Sequence, residues 1–246
     1  LNNNADDFLA AAERIHDLGY DEINWNLGCP VPMVAKKRRG SGLLPYPDEI
    51  ESLLEKVLPR LKPRLSIKMR LGYRDYEESL ELLPRLDKYP LTEIIIHPRL
   101  GTQLYKGTAS PDHFCSCIEH TRHTLVYNGD IVCPESFSKL QQQLPEIDRW
   151  MAGRGLIADP LLPEKIKGIK ITEERKLTRL ASFHDELYAA MKNHLSGPGH
   201  LLGRMKQVWI YFIDSFPGKK KQLKKITKAA TEEKYWKAVA AVIGEG

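Results

Sequence analysis

Over roughly the first 170 positions, short runs of β-branched and apolar residues alternate with segments whose apolar residues recur every three or four places. The short runs, at 22–27, 65–70, 93–97, 124–128 and 148–152, predict buried strands. The intervening segments predict helices at 48–58, 76–86, 111–120, 134–144 and 161–169. In the first of these, Ile50, Leu53, Leu54, Val57 and Leu58 share one face behind Pro47 and Asp48. Such alternation implies parallel strands joined by crossover helices, an α/β fold. From 173 onward only the helical period remains. Leu177, Leu180, Phe183, Leu187 and Met191 mark a helix over 173–195, closed by Ser196-Gly197-Pro198-Gly199, and further helices are predicted over 201–212, 219–230 and 232–243. On pattern the chain divides into an α/β domain at 1–171 and an all-α domain at 172–246.

Composition narrows the class. With 246 residues, 42% of them hydrophobic, the chain has enough apolar material for a real core. No stretch approaches the ~20 apolar residues of a membrane span, and the opening Leu1-Asn2-Asn3-Asn4 lacks the basic and apolar regions of a signal peptide. Four cysteines in this length do not make a disulfide scaffold, so a reducing cytoplasm is the expected compartment. The net charge of +5 is unevenly placed. Residues 196–246 hold ten basic and four acidic residues, the remainder 27 and 28. A neutral body with a basic end suits a polyanionic partner, although a solvated lysine-rich helix gives the same balance.

Candidate chemistry gathers where the predicted strands end. Asn26, Gly28 and Cys29 follow the first, Lys68 and Arg70 close the second, and His97 and Arg99 end the third. Asn128, Gly129 and Asp130 follow the fourth, and Gly153, Arg154 and Gly155 the fifth. In an α/β barrel these ends converge on one face, which holds the active site. Turn and capping roles account for the glycines, but not for a lysine, a histidine and a cysteine together. Lys68 stands inside an apolar strand, where a lysine is rare without an anion or ligand. Gly153-Arg154-Gly155 offers backbone N–H groups and a guanidinium beside a helix start, a phosphate-binding chemistry. Cys115 and Cys117, near His113, His120 and His123, have poor spacing for a structural zinc site, and no metal centre is expected.

The strings Asn24-Trp-Asn-Leu-Gly-Cys-Pro30, Ile67-Lys-Met-Arg-Leu-Gly72 and His97-Pro-Arg-Leu-Gly-Thr-Gln-Leu-Tyr-Lys-Gly107 resemble the tRNA-dihydrouridine synthases. Tyr127-Asn-Gly-Asp-Ile131 and Met151-Ala-Gly-Arg-Gly155 continue the match in order, and the helical tail is similar to that family's RNA-binding domain. The resemblance implies a (β/α)8 TIM-barrel enzyme that uses FMN, reduced by NADPH, to convert chosen uridines of tRNA to dihydrouridine. It implies Cys29 as the proton donor, and Lys68, His97, Asn128, Gly129, Asp130, Gly153 and Arg154 as FMN contacts. Asn26 and Arg99 would hold the uracil, with Lys221, Lys224, Lys225 and Lys228 contacting tRNA.

Two features depart from that family. It normally begins with about three more strand–helix units, and five strands cannot close an eight-stranded barrel. The barrel is thus expected to be incomplete at the N-terminal side of this chain, as in a piece of a longer protein. The loop after Cys29 carries Lys36-Lys37-Arg38-Arg39 where the family usually has smaller residues. Two other functions remain open at this level: a flavin oxidoreductase of a free pyrimidine, and an RNA-binding protein without catalysis.

Overall fold

The computed structural model describes residues 2–244. Contacts divide the chain into two compact units. Among the described residues, one comprises 2–130 and 139–151, the other 131–138 and 152–244. This division does not fall at 171/172, because residues 152–171 pack with the helical tail.

The first unit is α/β. It opens with α1 (Ala5–Asp17), capped by Asn4, followed by β1 (Glu22–Leu27) and the short α2 (Pro32–Ala35). Then come α3 (Pro47–Val57), β2 (Arg64–Gly72), α4 (Glu77–Leu86), β3 (Leu91–Leu100), α5 (Pro111–Ile118) and β4 (Leu125–Tyr127). Helix α6 (Pro134–Gln143) begins in the second unit and ends in the first. The strands lie in the order β1-β2-β3-β4 and every neighbouring pair is parallel. That is the arrangement of a (β/α) barrel segment.

The two faces of the sheet differ sharply. Trp25 pairs with Ile67, Leu27 with Met69, Ile94 with both Ile67 and Leu125, and Ile96 with both Met69 and Tyr127. All eight of these side chains are buried. The helices carry buried apolar stripes of their own, Ile50, Leu53, Leu54 and Val57 of α3 and Leu82, Leu83 and Leu86 of α4. Because alternate residues of a strand face opposite ways, the other face carries Asn26 beside Lys68, Lys68 beside Ile95, and Arg70 beside His97. The apolar face builds the core. The polar face is left for chemistry.

The fifth expected strand, 148–152, is reduced to one parallel bridge between Tyr127 and Trp150. Two hydrogen bonds flank it, from Tyr127 N to the Arg149 carbonyl at 3.1 Å and from Met151 N to the Tyr127 carbonyl at 2.8 Å. Strand β4 is only three residues long, ended by Asn128-Gly129, so it offers no longer ladder to pair with.

The second unit is helical: α7 (Arg154–Ala158), α8 (Leu162–Ile166), α9 (Glu173–His194), α10 (Gly197–Phe212), α11 (Leu223–Lys228) and α12 (Glu232–Ile243). Its core includes Leu180, Tyr188, Leu202, Met205, Trp209, Phe212, Ile226, Tyr235 and Val239. Helix α10 begins four residues before the expected position, since Pro198 in its first turn favours helix initiation. The expected helix over 219–230 instead becomes a 3-10 turn at Lys220–Gln222 followed by the six-residue α11. Three consecutive lysines after Gly218 repel one another and weaken the first turn of a continuous helix.

Candidate functional site

The site is assembled at the C-terminal ends of β1, β2 and β3. Asn26, the fifth residue of β1, turns its side-chain oxygen onto the following loop. Its Oδ1 accepts from Gly28 N and Cys29 N, both at 3.0 Å. This Asx-type turn fixes the direction in which Cys29 leaves the strand. Its Nδ2 makes no hydrogen bond among the described residues and is a free donor beside Lys68. The carbonyl of Cys29 accepts from Ser41 N at 3.0 Å and Ser41 Oγ at 3.1 Å, bringing the loop back across the cysteine. Gly40 makes this approach possible. Its φ is +56°, and a Cβ there would lie 2.6 Å from the Cys29 oxygen.

Arg70 binds the strand ends together. It is 1% exposed, and its Nε donates to the Gly28 carbonyl at 3.1 Å while one Nη donates to the Leu100 carbonyl at 2.6 Å. The loop bearing Cys29 is thereby anchored to the end of β3. The sequence marked Arg70 only as a strand-end residue, because its role depends on carbonyls 30 and 42 positions away.

Lys68 makes no hydrogen bond or ion pair among the described residues. Burial, reinforced by the charge of Arg70, pulls its pKa down to about 8. His97 is pushed to about 3 by burial and by the charges of Arg70, Lys68 and Arg99, against a weaker opposing pull from Asp130. It is neutral at any physiological pH. A cation without an anion and a neutral imidazole thus face the same side of neighbouring strands.

Several residues expected as ligand contacts make hydrogen bonds within the protein. Arg99 is 3% exposed. One Nη sits 2.8 Å from His97 Nε2, and the other meets both carboxylate oxygens of Asp130, at 2.9 and 2.7 Å. Its guanidinium is buried between the His97 ring and the Asp130 carboxylate. Asp130 also accepts from Ala109 N at 2.9 Å and holds a left-handed φ of +47°. Asn128 donates from Nδ2 to the Met151 carbonyl at 2.7 Å. The side chains of Asn128 and Asp130 therefore brace the end of β4, and Gly129 packs too closely on Ala109 to admit a Cβ. Gly153 and Arg154 belong to the second unit, where Gly153 precedes the first turn of α7.

The basic loop after Cys29 is tied down. Arg38 pairs with Glu49 and lies 4.1 Å over the Tyr46 ring, and Arg39 Nε donates to Asn3 Oδ1 at 3.0 Å. In the second unit, Lys224, Lys225 and Lys228 of α11 meet Lys234 and Lys237 of α12 around an open cleft of about 580 Å³, with Ala229, Ala238 and Ala241 also lining it. None of these five lysines has an ion pair among the described residues. Lys221 stands apart, in the preceding 3-10 turn. The stripe 234, 237, 238, 241 has the same helical spacing as 221, 224, 225, 228, and this repeat beyond Glu232 and Glu233 is the signal in the sequence for Lys234 and Lys237. Among the described residues no cluster of His, Cys, Asp and Glu could hold a metal ion, and no helix is long and apolar enough to cross a membrane.

The family profile for dihydrouridine synthase (Dus) matches residues 1–243. A tRNA-dihydrouridine synthase B of Pasteurella multocida is 30% identical over 64% of this chain and 47% of its own length. A probable tRNA-dihydrouridine synthase 2 of Bacillus subtilis is 30% identical over 79% of this chain and 60% of its own. A tRNA-dihydrouridine(16) synthase of Aquipseudomonas alcaligenes is 26% identical, with coverages of 80% and 63%. The chain spans about half the length of the curated relatives it matches. With its parallel sheet, polar strand ends and helical tail, the chain belongs to the dihydrouridine synthase family.

Proposed function

We propose that this chain carries the proton donor, much of the flavin site and the RNA-binding helices of an FMN-dependent enzyme reducing uridine in tRNA, with NADPH as electron source. The observation that carries this reading is the polar sheet face, where Lys68 and His97 stand beside a cysteine loop fixed by Asn26 and Arg70. The donors present fit FMN. Lys68 is an ammonium lacking an anion, and His97 on the neighbouring strand offers a ring N–H, as an electron-rich ring bearing carbonyl oxygens requires. Gly153 and Arg154 are kept as phosphate contacts on sequence resemblance alone.

When bound and reduced, the flavin would supply hydride to C6 of the uracil. The protein's part is the proton. The thiol of Cys29 gives its hydrogen to C5, leaving a thiolate that is reprotonated from solvent, so that one hydride and one proton saturate the C5–C6 bond. Asn26 holds the backbone on which that thiol is carried, and its free Nδ2 can donate to a uracil carbonyl. In the helical unit, the five-lysine cleft gives the polynucleotide a cationic surface without internal carboxylate competitors.

Replacing Cys29 with alanine is expected to leave FMN bound while slowing dihydrouridine formation in tRNA by about 10²–10⁴-fold, the usual contribution of a positioned general acid. Flavin absorbance and nucleoside analysis of the treated tRNA measure the two quantities. Undiminished dihydrouridine in the variant would assign the proton to another group. Reduction of free uracil in place of tRNA would favour the pyrimidine oxidoreductase.

A further inference from the structure

We propose that the Arg99–Asp130 pair is a positioning device that fixes His97 as the neutral tautomer with its proton on Nδ1. The assignment follows from donor inventory. Arg99 Nη1 is 2.8 Å from His97 Nε2. A guanidinium has five N–H donors and no acceptor, so this contact requires a bare lone pair on Nε2. An imidazolium is excluded for the same reason. The single remaining ring proton is on Nδ1.

The guanidinium is itself held in place. Its second terminal nitrogen meets both oxygens of Asp130 and donates to the Gly107 carbonyl at 2.8 Å. Asp130 is anchored in turn by Ala109 N. It keeps its negative charge, because the hydrogen bond from Ala109 N and those from Arg99, together with the positive charge of Arg99, lower its pKa and outweigh the burial that would raise it. Burial of Arg99 and the acceptors gathered around its second terminal nitrogen leave the guanidinium little freedom to swing away from the ring. Around the ring, Arg70 on β2 and Lys68 one row below it add two further positive charges, and both disfavour protonation.

The consequence is directional. Nδ1 makes no hydrogen bond among the described residues, so the ring offers one N–H donor from the polar face and no acceptor. It can serve an oxygen or an imine-type nitrogen and cannot accept a proton from a neighbouring acid. Cys29 therefore has no base in His97. That the acceptor belongs to FMN rests on the proposed function; the tautomer does not.

The test is long-range proton–nitrogen NMR on the full chain labelled in histidine, with His97 assigned by its loss in His97→Gln. At pH 7 the wild-type ring is expected to show a protonated Nδ1 and a bare Nε2, unchanged down to pH 5. In Arg99→Met/Asp130→Asn, which removes both charges together, the proton is expected to move to Nε2, the ordinary tautomer of an unconstrained histidine. A wild-type ring protonated on Nε2, or protonated on both nitrogens at pH 7, overturns the proposal even if the variant does not fold. A wild-type pattern that persists in the folded double variant also overturns it. Titration with FMN separates the two ideas. Movement of the Nδ1 resonance supports the flavin as acceptor, while saturating FMN that leaves it unmoved defeats that assignment and leaves the tautomer standing.

Discussion

Lys68 shows how burial turns an ordinary side chain into a site. A strand-interior lysine pays for its position by losing hydration, which is why its pKa falls to about 8. An anion beside it restores the charged form. The sign of the linkage follows directly. Below pH 8 the free protein already carries the proton, so its affinity for an anionic cofactor is constant. Above pH 8 binding must take up a proton, so affinity falls, by up to tenfold per pH unit until the pKa of the complex is reached. Lys68→Met is expected to bind FMN weakly and with a flat profile between pH 7 and 9. Fluorescence titration of FMN across that range provides the check, and a wild-type profile that is flat would show that Lys68 does not meet the cofactor. The residue identities behind this were legible in the sequence: Cys29, Lys68 and His97 stood out because their types do not suit turns or strands. The partners of Arg70, Arg99 and Asp130 were not legible. Each role is set by a hydrogen bond to backbone or side chain on another strand or loop, and local pattern carries no information about those.

At the scale of elements, periodicity succeeded where one face is apolar and ladders are long. The strands at 22–27, 65–70 and 93–97 each lie within an observed strand, and α3, α4, α9 and α12 match their expected spans within a residue or two. It failed at 148–152, where a strand needs a partner longer than β4, and at 219–230, where charge repulsion competes with propensity. The long helices α9, α10 and α12 are joined by a buried polar chain that the pattern also hid. Trp209 Nε1 donates to Tyr235 Oη at 2.9 Å, Tyr235 donates to His184 Nε2 at 2.8 Å, and His184 Nδ1 donates to Asp185 at 2.9 Å. Burial lowers the pKa of His184 from its ordinary 6.5, against an opposing pull from Asp185. The unfolded chain therefore takes up a proton that the folded helices refuse. Stability conferred by this group is complete above pH 6.5 and is lost as pH falls below it. Urea unfolding followed by tryptophan fluorescence between pH 8 and 5 is expected to show that loss. His184→Gln, which keeps an acceptor for Tyr235 but does not titrate, should reduce the slope. An identical slope in the variant would place the acid sensitivity elsewhere.

Across the whole molecule, charge is partitioned as the chemistry is. Residues 1–195 are nearly neutral with 27 basic and 28 acidic groups, and the excess of positive charge resides after 196. Within that segment Lys220 pairs with Asp214, and Glu232 is paired with Lys192 of the preceding helix, so internal pairing is available to lysines that sit near carboxylates. The lysines of the α11–α12 cleft forgo it. Five ammonium groups around an alanine-lined cleft repel one another, and counter-ions from solvent must offset that repulsion until a polyanion replaces them. Release of those ions makes affinity salt-dependent, with a slope of log affinity against log salt of roughly 0.7–0.9 per phosphate neutralised. Changing Lys224, Lys225, Lys228, Lys234 and Lys237 to glutamine is thus expected to weaken tRNA binding at low salt and flatten the slope by about two to four, since not every ammonium reaches a phosphate. Hydrogen exchange on the wild type supplies the spatial readout: tRNA should slow exchange of the α11 and α12 amides, and should fail to do so in the glutamine variant. An unchanged slope with protection confined to the α/β unit would remove the cleft from the RNA surface and assign recognition to residues around Cys29.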